Sequence, residues 1–106
     1  MYIENANGYH VYYIYILTNK YRTTLYIGVT NNLRRRLQEH IESINQSTSS
    51  FVGRYKLSSL VYYEKFTWIQ EAIAREKELK RWRRNKKNDL IRSLNPMLED
   101  LNHHFE

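Results

Sequence analysis

Glu76 occupies a position where an apolar side chain would be expected. In the stretch after Thr67, apolar residues recur at Ile69, Ala72, Ile73 and Leu79. At about 100° per residue, helical geometry puts Glu76 near the middle of that stripe and Glu71 and Glu78 on the opposite side. A carboxylate turned toward a core is costly unless it is paired with a cation or binds a metal. Both outcomes are open at this point: a structural ion pair with an arginine of an earlier helix, or a metal ligand. Arg36 repeats the habit. It lies one turn after Leu33 and one turn before His40, beside the apolar stripe of a second helical stretch, where side chains three and four apart are neighbours. Arg34 and Arg35 point elsewhere. Arg36 either snorkels from a packed stem or serves a site, and His40 is either a hydrogen-bonded core residue or a site member.

Tyrosines form the third candidate group. By the period of two along a strand, Tyr13, Tyr15 and Leu17 share one face, and Tyr12, Ile14 and Ile16 the other. Tyr26 and Gly28 share a face of the next strand. A hairpin would make Tyr15 and Tyr26 near neighbours, as an aromatic cross-strand pair or as part of a site. Gly28, lacking a side chain, would leave room for a backbone or a phosphate to approach.

These side chains need elements to carry them. Residues 11–18 and 24–29 are rich in β-branched and aromatic types and read as strands. The short polar link from Asn19 to Thr23 favours an antiparallel hairpin. Thr30, Asn31 and Asn32 supply N-cap residues. The helix they open runs from Leu33 to about Ile44, with Leu33, Leu37, Ile41 and Ile44 on one stripe. Residues 45–53 read as a polar loop, and Leu57 to Phe66 as a third strand. Thr67 is expected to cap the next helix, with Gln70 at capping-box spacing, and that helix should reach about Trp82. A last helix starts near Asn85 and ends before Pro96, because the residue ahead of a proline avoids helical geometry. The fold class is therefore α/β (α+β): a three-stranded antiparallel sheet flanked by helices, in the order β-β-α-β-α-α.

A chain of 106 residues fits one domain and one modest core. It divides into a flexible N-terminal extension, residues 1–10, a domain over 11–96, and a tail over 97–106 that reads as disordered and contains His103 and His104. The absence of cysteine excludes a disulfide framework, a thiolate nucleophile and a cysteine-based zinc site. The stretch Met1 to His10 is polar and resembles neither a signal nor a transit peptide. No apolar run approaches the roughly 20 residues of a membrane span, so the expected location is cytoplasmic. The net charge of +6 favours a polyanionic partner. Two clusters concentrate it: Lys80, Arg81, Arg83, Arg84, Lys86 and Lys87 in one, and Arg34, Arg35 and Arg36 in the other. The ten tyrosines can stack on bases or pack in strands.

Together these residues resemble the GIY-YIG nuclease superfamily. The second half of its signature stands as Tyr26-Ile27-Gly28, and the first as Tyr13-Ile14-Tyr15, with Tyr where the family name has Gly. Eleven positions lie from Tyr15 to Tyr26, as in the family pattern. Asn31, Leu33, Arg36 and His40 resemble the arginine-bearing helix, and Ala74-Arg75-Glu76 the segment with the metal-binding glutamate. The likeness spans roughly residues 11–96. It is closest to the small stand-alone members that are similar to the N-terminal domain of the excision-repair endonuclease. The strand Leu60 to Glu64 and the helix Ala74 to Lys80 match theirs. The family's last motif is an asparagine; Asn95 is the candidate and Asn88 competes.

The resemblance implies metal-dependent endonuclease chemistry, hydrolysis of a phosphodiester with one divalent cation, Mg²⁺ or Mn²⁺. Glu76 is then the metal ligand, with a hard oxygen suited to such an ion. Arg36 provides a planar fork for non-bridging oxygens. Tyr15 or Tyr26 deprotonates the attacking water, provided nearby positive charge lowers the phenol, and His40 assists. By family analogy the substrate is DNA rather than RNA, in repair or processing. With no targeting module, the domain should read backbone or shape, and an accessory protein would supply specificity. Two rivals keep the same fold: a non-catalytic nucleic-acid-binding module, and a protein-interaction adapter that uses Trp68 and Trp82.

Overall fold

A computed structural model describes residues 11–45 and 51–106. The N-terminal extension and residues 46–50 of the expected loop lie outside the described residues. Strand β1 (Tyr12–Thr18) is buried from Ile14 onward, which makes it the natural centre of the sheet. β2 (Leu25–Thr30) and β3 (Ser59–Phe66) flank it, both antiparallel, giving the order β2-β1-β3. Asn19 closes the β1–β2 turn: its Oδ1 accepts from the backbone N–H groups of Thr23 at 2.8 Å and Thr24 at 3.2 Å. On the other side of β1 the pairing with β3 shifts between Ile16 and Leu17. An extra residue in one strand is a β-bulge, and here it sends the consecutive residues Val61 and Tyr62 into the same core.

Helices cover both faces. On one, α1 (Leu33–Asn45) and the short α2 (Phe51–Tyr55) close over Tyr15, Leu17 and Leu60 through Leu33, Leu37 and Leu57. On the other, α3 (Ile69–Lys80) and α4 (Arg84–Leu94) bury Ala72, Leu79 and Ile91 against Ile14, Ile16 and Ile27. The three-strand sheet, its antiparallel pairing and the β-β-α-β-α-α order agree with the expectation, apart from α2. Asn32 caps α1 as expected, its Oδ1 accepting from the Arg35 N–H at 3.0 Å.

Several local expectations are corrected. Asn45 ends α1 and residues 51–53 open α2, so these positions of the expected loop are helical. The N-cap of α3 is Trp68, without a side-chain cap bond, and not Thr67. Ile41 and Ile73 are exposed rather than core residues, because each lies at the margin of its helical stripe. The tail is the largest correction. The Leu101 N–H donates to the Leu60 carbonyl at 2.7 Å, and Asn102 Oδ1 accepts from the Leu60 N–H at 2.8 Å. These two bonds satisfy the outward backbone groups of Leu60, at the start of β3, which would otherwise remain open. A 3-10 turn (Asn102–Phe105) follows; Phe105 packs edge-on against Tyr13 and Tyr63, and His104 Nδ1 meets the Tyr63 hydroxyl at 2.9 Å.

α3 is fastened to β3 by a half-buried ion pair. Arg75 Nε and Nη2 grip the two Glu64 oxygens at 3.0 and 2.9 Å, the Tyr62 hydroxyl donates to the same carboxylate, and the Arg75 guanidinium lies 5.3 Å from the centre of the Trp82 ring. Burial works against the charge on Glu64, yet the hydrogen bonds from Arg75 and Tyr62 hold its carboxyl below the usual range. A carboxylate depressed in the folded state adds stability above its unfolded value, near ~4.3, and loses it as pH falls through the lower folded value. Glu64→Gln should therefore cost about 1–3 kcal/mol in urea unfolding at pH 7. The gap from wild type should narrow as pH drops below ~4.3. Equal stability at pH 7 would show that this pair does not hold α3 to the sheet.

Candidate active site

Tyr15 stands at the middle of β1, opposite Gly28 on β2 and Tyr63 on β3. It is fully buried on the face that α1 covers. A Cβ at Gly28 would lie 2.6 Å from the Tyr15 Oη and 2.7 Å from its Cζ. The space at Gly28 is thus filled by the phenol ring, not kept for a phosphate as the sequence suggested. The ring folds across the neighbouring strand, and only glycine permits that approach.

α1 crosses above this pair, seated by Leu33 and Leu37. That seating brings Arg36 and His40, one turn apart, to the phenol. The Tyr15 hydroxyl is 3.1 Å from His40 Nε2, and the Arg36 guanidinium lies beside the same oxygen. The Tyr26 ring is 6.2 Å from that of Tyr15 and 5.9 Å from that of His40, centre to centre. Tyr15, Tyr26, Arg36 and His40 therefore meet in one place.

Their charges follow from burial. Desolvation first, and Tyr26 second, push the Tyr15 phenol up to about 12, against the opposing pull of Arg36. The arginine was expected to lower a phenol; at Tyr15 burial outweighs it, and this hydroxyl keeps its proton at neutral pH. Burial and then Arg36 lower His40 from its ordinary value, with Glu39 opposing. The imidazole is neutral at pH 7 and can accept a proton. Arg36 donates from Nε to Glu39 Oε1 at 3.1 Å, and Glu39 is largely in water.

Glu76 hangs from α3, on the opposite side of the sheet. The helix places it on the line of Ala72 and Leu79, and its side chain is 20% exposed. Its partner is Lys80 of the same helix, Nζ to Oε2 3.2 Å, and not an arginine of the first helix. β2 is an edge strand among the described residues, and α3 packs against it as well as against β1. A groove of about 260 Å³ lies there, lined by Leu25, Tyr26, Ile27, Lys80 and Lys87. It connects Tyr26 with the cation that holds Glu76. Glu76 offers a single half-buried carboxylate, and no group of three or more His, Cys, Asp or Glu that could hold a metal ion lies among the described residues.

The other named residues divide. Arg34, Arg35, Arg81 and Arg83 are exposed and open to a polyanion. Arg84 instead donates to the carbonyls of Thr23 and Arg22, both at 2.9 Å, and so secures the β1–β2 turn. Lys86 lies over the Trp82 ring at 4.1 Å. Asn95 is buried, with Nδ2 donating to the carbonyls of Val61 and Glu99 and Oδ1 accepting from the Glu99 N–H. Every polar atom of its side chain is engaged by backbone, so Asn95 clamps the chain after α4 to β3. Its rival Asn88 is half-buried and accepts from Arg84 Nε at 3.2 Å. Sequence reasoning missed the Glu76–Lys80 pair, whose signal was its i,i+4 spacing. It also missed the grip of Arg75 on Glu64, which no local spacing announces.

Comparison with known proteins places this geometry. The GIY-YIG catalytic domain model matches residues 11–89, a span that holds Tyr15, Tyr26, Arg36, His40 and Glu76 but ends before Asn95. A UPF0213 protein of Clostridium perfringens is 40% identical over 81 residues, covering 76% of this chain and 83% of that protein. One of Haloquadratum walsbyi is 33% identical over 84 residues, covering 79% and 88%. The solution structure of a UPF0213 protein from Bacillus halodurans is similar with a TM-score of 0.53 at 29% identity, covering 88% of this chain and 93% of that one.

The contact between Gly28 and Tyr15 can be tested directly. Gly28→Ala must displace a packed ring, at an expected cost of about 1–3 kcal/mol in urea unfolding. Moving the phenol also loosens the packing on His40, so the imidazole should titrate closer to its ordinary ~6.5 when followed by NMR. Unchanged stability and an unchanged titration would show that the ring gives way freely.

Proposed function

The chain belongs to the GIY-YIG family, and from that premise we propose that it is an endonuclease that hydrolyses phosphodiester bonds of nucleic acid, DNA rather than RNA, with one divalent cation. The observation that carries this reading is the meeting of Tyr26, Arg36 and His40 around the buried Tyr15 hydroxyl. The groove from Tyr26 past Lys80 and Lys87 supplies cationic walls for a polyanion.

Arg36 acts on the phosphate. Its guanidinium is partly exposed, permanently charged and planar, so it can hold non-bridging oxygens with two parallel hydrogen bonds. Its contact with Glu39 is a water-exposed pair, which a phosphate displaces at little cost. Tyr15 positions rather than reacts: buried and protonated, it sets the orientation of His40 and steadies Arg36. His40, neutral and with its Nε2–H donating to the Tyr15 hydroxyl, takes the proton of the attacking water on Nδ1, while the Tyr26 hydroxyl places the water. Glu76 would hold the cation, which when bound stabilises charge developing on the phosphate and the leaving oxygen. Lys87, with Arg34, Arg35, Arg81 and Arg83, holds flanking backbone, which positions a substrate without reading its sequence.

Nicking of plasmid, branched and flapped DNA with Mg²⁺ or Mn²⁺ tests the reading. Glu76→Ala, Arg36→Ala and Tyr26→Phe should each slow cutting by about 100-fold or more, some 2.7 kcal/mol of barrier. Wild-type kcat/KM should rise with pH through a group below ~6.5, and His40→Gln should flatten that limb. Full activity in Glu76→Ala would remove the metal ligand from this scheme. Salt-sensitive DNA binding by a wild type that never cuts would favour a non-catalytic binding module. An inflection near a phenol value, unmoved by His40→Gln, would transfer the proton-accepting role to Tyr26.

A further inference from the structure

The least settled charge in the site is that of Lys80. Its ammonium stands 3.2 Å from Glu76 Oε2, yet the lysine side chain is 54% exposed while the carboxylate is only 20% exposed. The same lysine also lines the groove with Tyr26 and Lys87, and Lys87 makes no ion pair among the described residues. Lys80 thus borders two places where charge is wanted: a sheltered carboxylate on one side, and a cationic groove beside the reactive tyrosine on the other.

We propose that Lys80 is an exchangeable counter-ion. In the free protein it neutralises Glu76; when nucleic acid enters the groove, it turns to a backbone phosphate beside Lys87 and releases Glu76 to a divalent cation. This rests on the nuclease reading above and deepens it.

Side-chain chemistry supports the exchange. A lysine carries a compact charge on a flexible four-carbon stem, so it can change partners without moving its helix. A pair exposed on one side is weak and opens at little cost. Glu76 lies four residues before Lys80, the favourable order for such a pair, so the pair forms readily when nothing competes. A sheltered carboxylate left without a partner would be penalised, and the lysine removes that penalty until the cation arrives. Metal and phosphate then bind cooperatively, because each takes one partner of the ion pair and frees the other.

The experiment uses the full chain and reads binding rather than cutting. Mn²⁺ affinity is followed by electron paramagnetic resonance without DNA. Binding to a short DNA duplex without divalent cation is followed by fluorescence anisotropy over a range of salt concentrations. Lys80→Ala and Lys80→Gln should bind Mn²⁺ roughly three- to tenfold more tightly, since a competing positive charge is gone. Both should lose about 0.9 from the slope of log affinity against log salt, the contribution of one phosphate contact. Lys87→Ala should lose the same slope with Mn²⁺ affinity unchanged, and the exposed Lys77→Ala should leave Mn²⁺ affinity unchanged. Glu76→Ala should abolish the Mn²⁺ signal. Mn²⁺ affinity in the Lys80 variants equal to or weaker than wild type overturns the exchange, as does an unchanged salt slope. Both shifts in the Lys80 variants, with a wild type that cuts no DNA, would sink the nuclease reading and leave the exchange standing.

Discussion

A phenol buried at the centre of a small sheet constrains everything around it. Tyr15 brings a hydroxyl into a region without water, and a hydroxyl there needs a partner. The partner comes from α1, as His40 Nε2 at 3.1 Å. The ring needs space, and β2 yields it by having glycine at position 28. α1 is then held against this face by Leu33 and Leu37, which leaves Arg36 one turn before His40 and beside the same oxygen. A core requirement and the candidate site are thus one arrangement. The same burial separates the roles of Tyr15 and His40. It raises Tyr15 until the proton stays on, and it lowers His40 until the imidazole is free to take one.

The second half of the site depends on the sheet having an edge. β1 is enclosed by neighbours on both sides, and β3 has its outer backbone bonded to Leu101 and Asn102 at Leu60. β2 has no outer strand partner among the described residues and borders the groove. There Tyr26, from the layer under α1, and Lys80, on α3, line one groove. The angle at which α3 crosses the sheet therefore matters to the site. The two-pronged hold of Arg75 on Glu64 and the packing of Trp82 under Arg75 and Lys86 keep that angle.

The sequence was most readable where a local rule had a single physical cause. Alternation of apolar and aromatic residues found the strands, and Asn32 was legible as a cap because a short side-chain oxygen before a helical stripe has one use. Glu76 was legible because a carboxylate on an apolar line violates expectation, and its burial agrees with that reading. Failures arose where the cause was tertiary. Thr67 had the spacing of a cap, but the chain enters α3 one residue later. Ile41 and Ile73 fit a helical period, yet the sheet is too narrow to cover the edges of both stripes. The tail was read as disordered because terminal segments commonly are; its order comes from two bonds to the backbone of Leu60, and no sequence pattern encodes a bond across some forty residues. Gly28 was read as room for a ligand, since nothing local says that a tyrosine on another strand will fill it. Asn95, read as a site residue beside Pro96, has every side-chain polar atom committed to backbone. Whether a polar residue faces a site or secures a turn depends on partners that only the fold supplies.

The same distinction applies to the charge. A net +6 suggests a broadly basic surface, but several of these cations already have partners. Arg84 secures a turn, Lys86 covers an indole, Arg75 bridges two elements, and Lys80 holds Glu76. Arg35 lies 3.9 Å from Glu39. Among the cations without an ion pair among the described residues, Lys87 lines the groove at the β2 edge, Arg81 and Arg83 precede α4, and Arg34 lies beside Asn102 and Phe105 of the tail. Such a distribution favours contacts to phosphates, which fix position and orientation but carry no sequence information. Under the proposed nuclease function, selectivity would come from which nucleic-acid backbones can bend or open far enough to bring a phosphodiester between Arg36 and Tyr26, a test of shape applied at a site whose geometry the buried tyrosine holds in place.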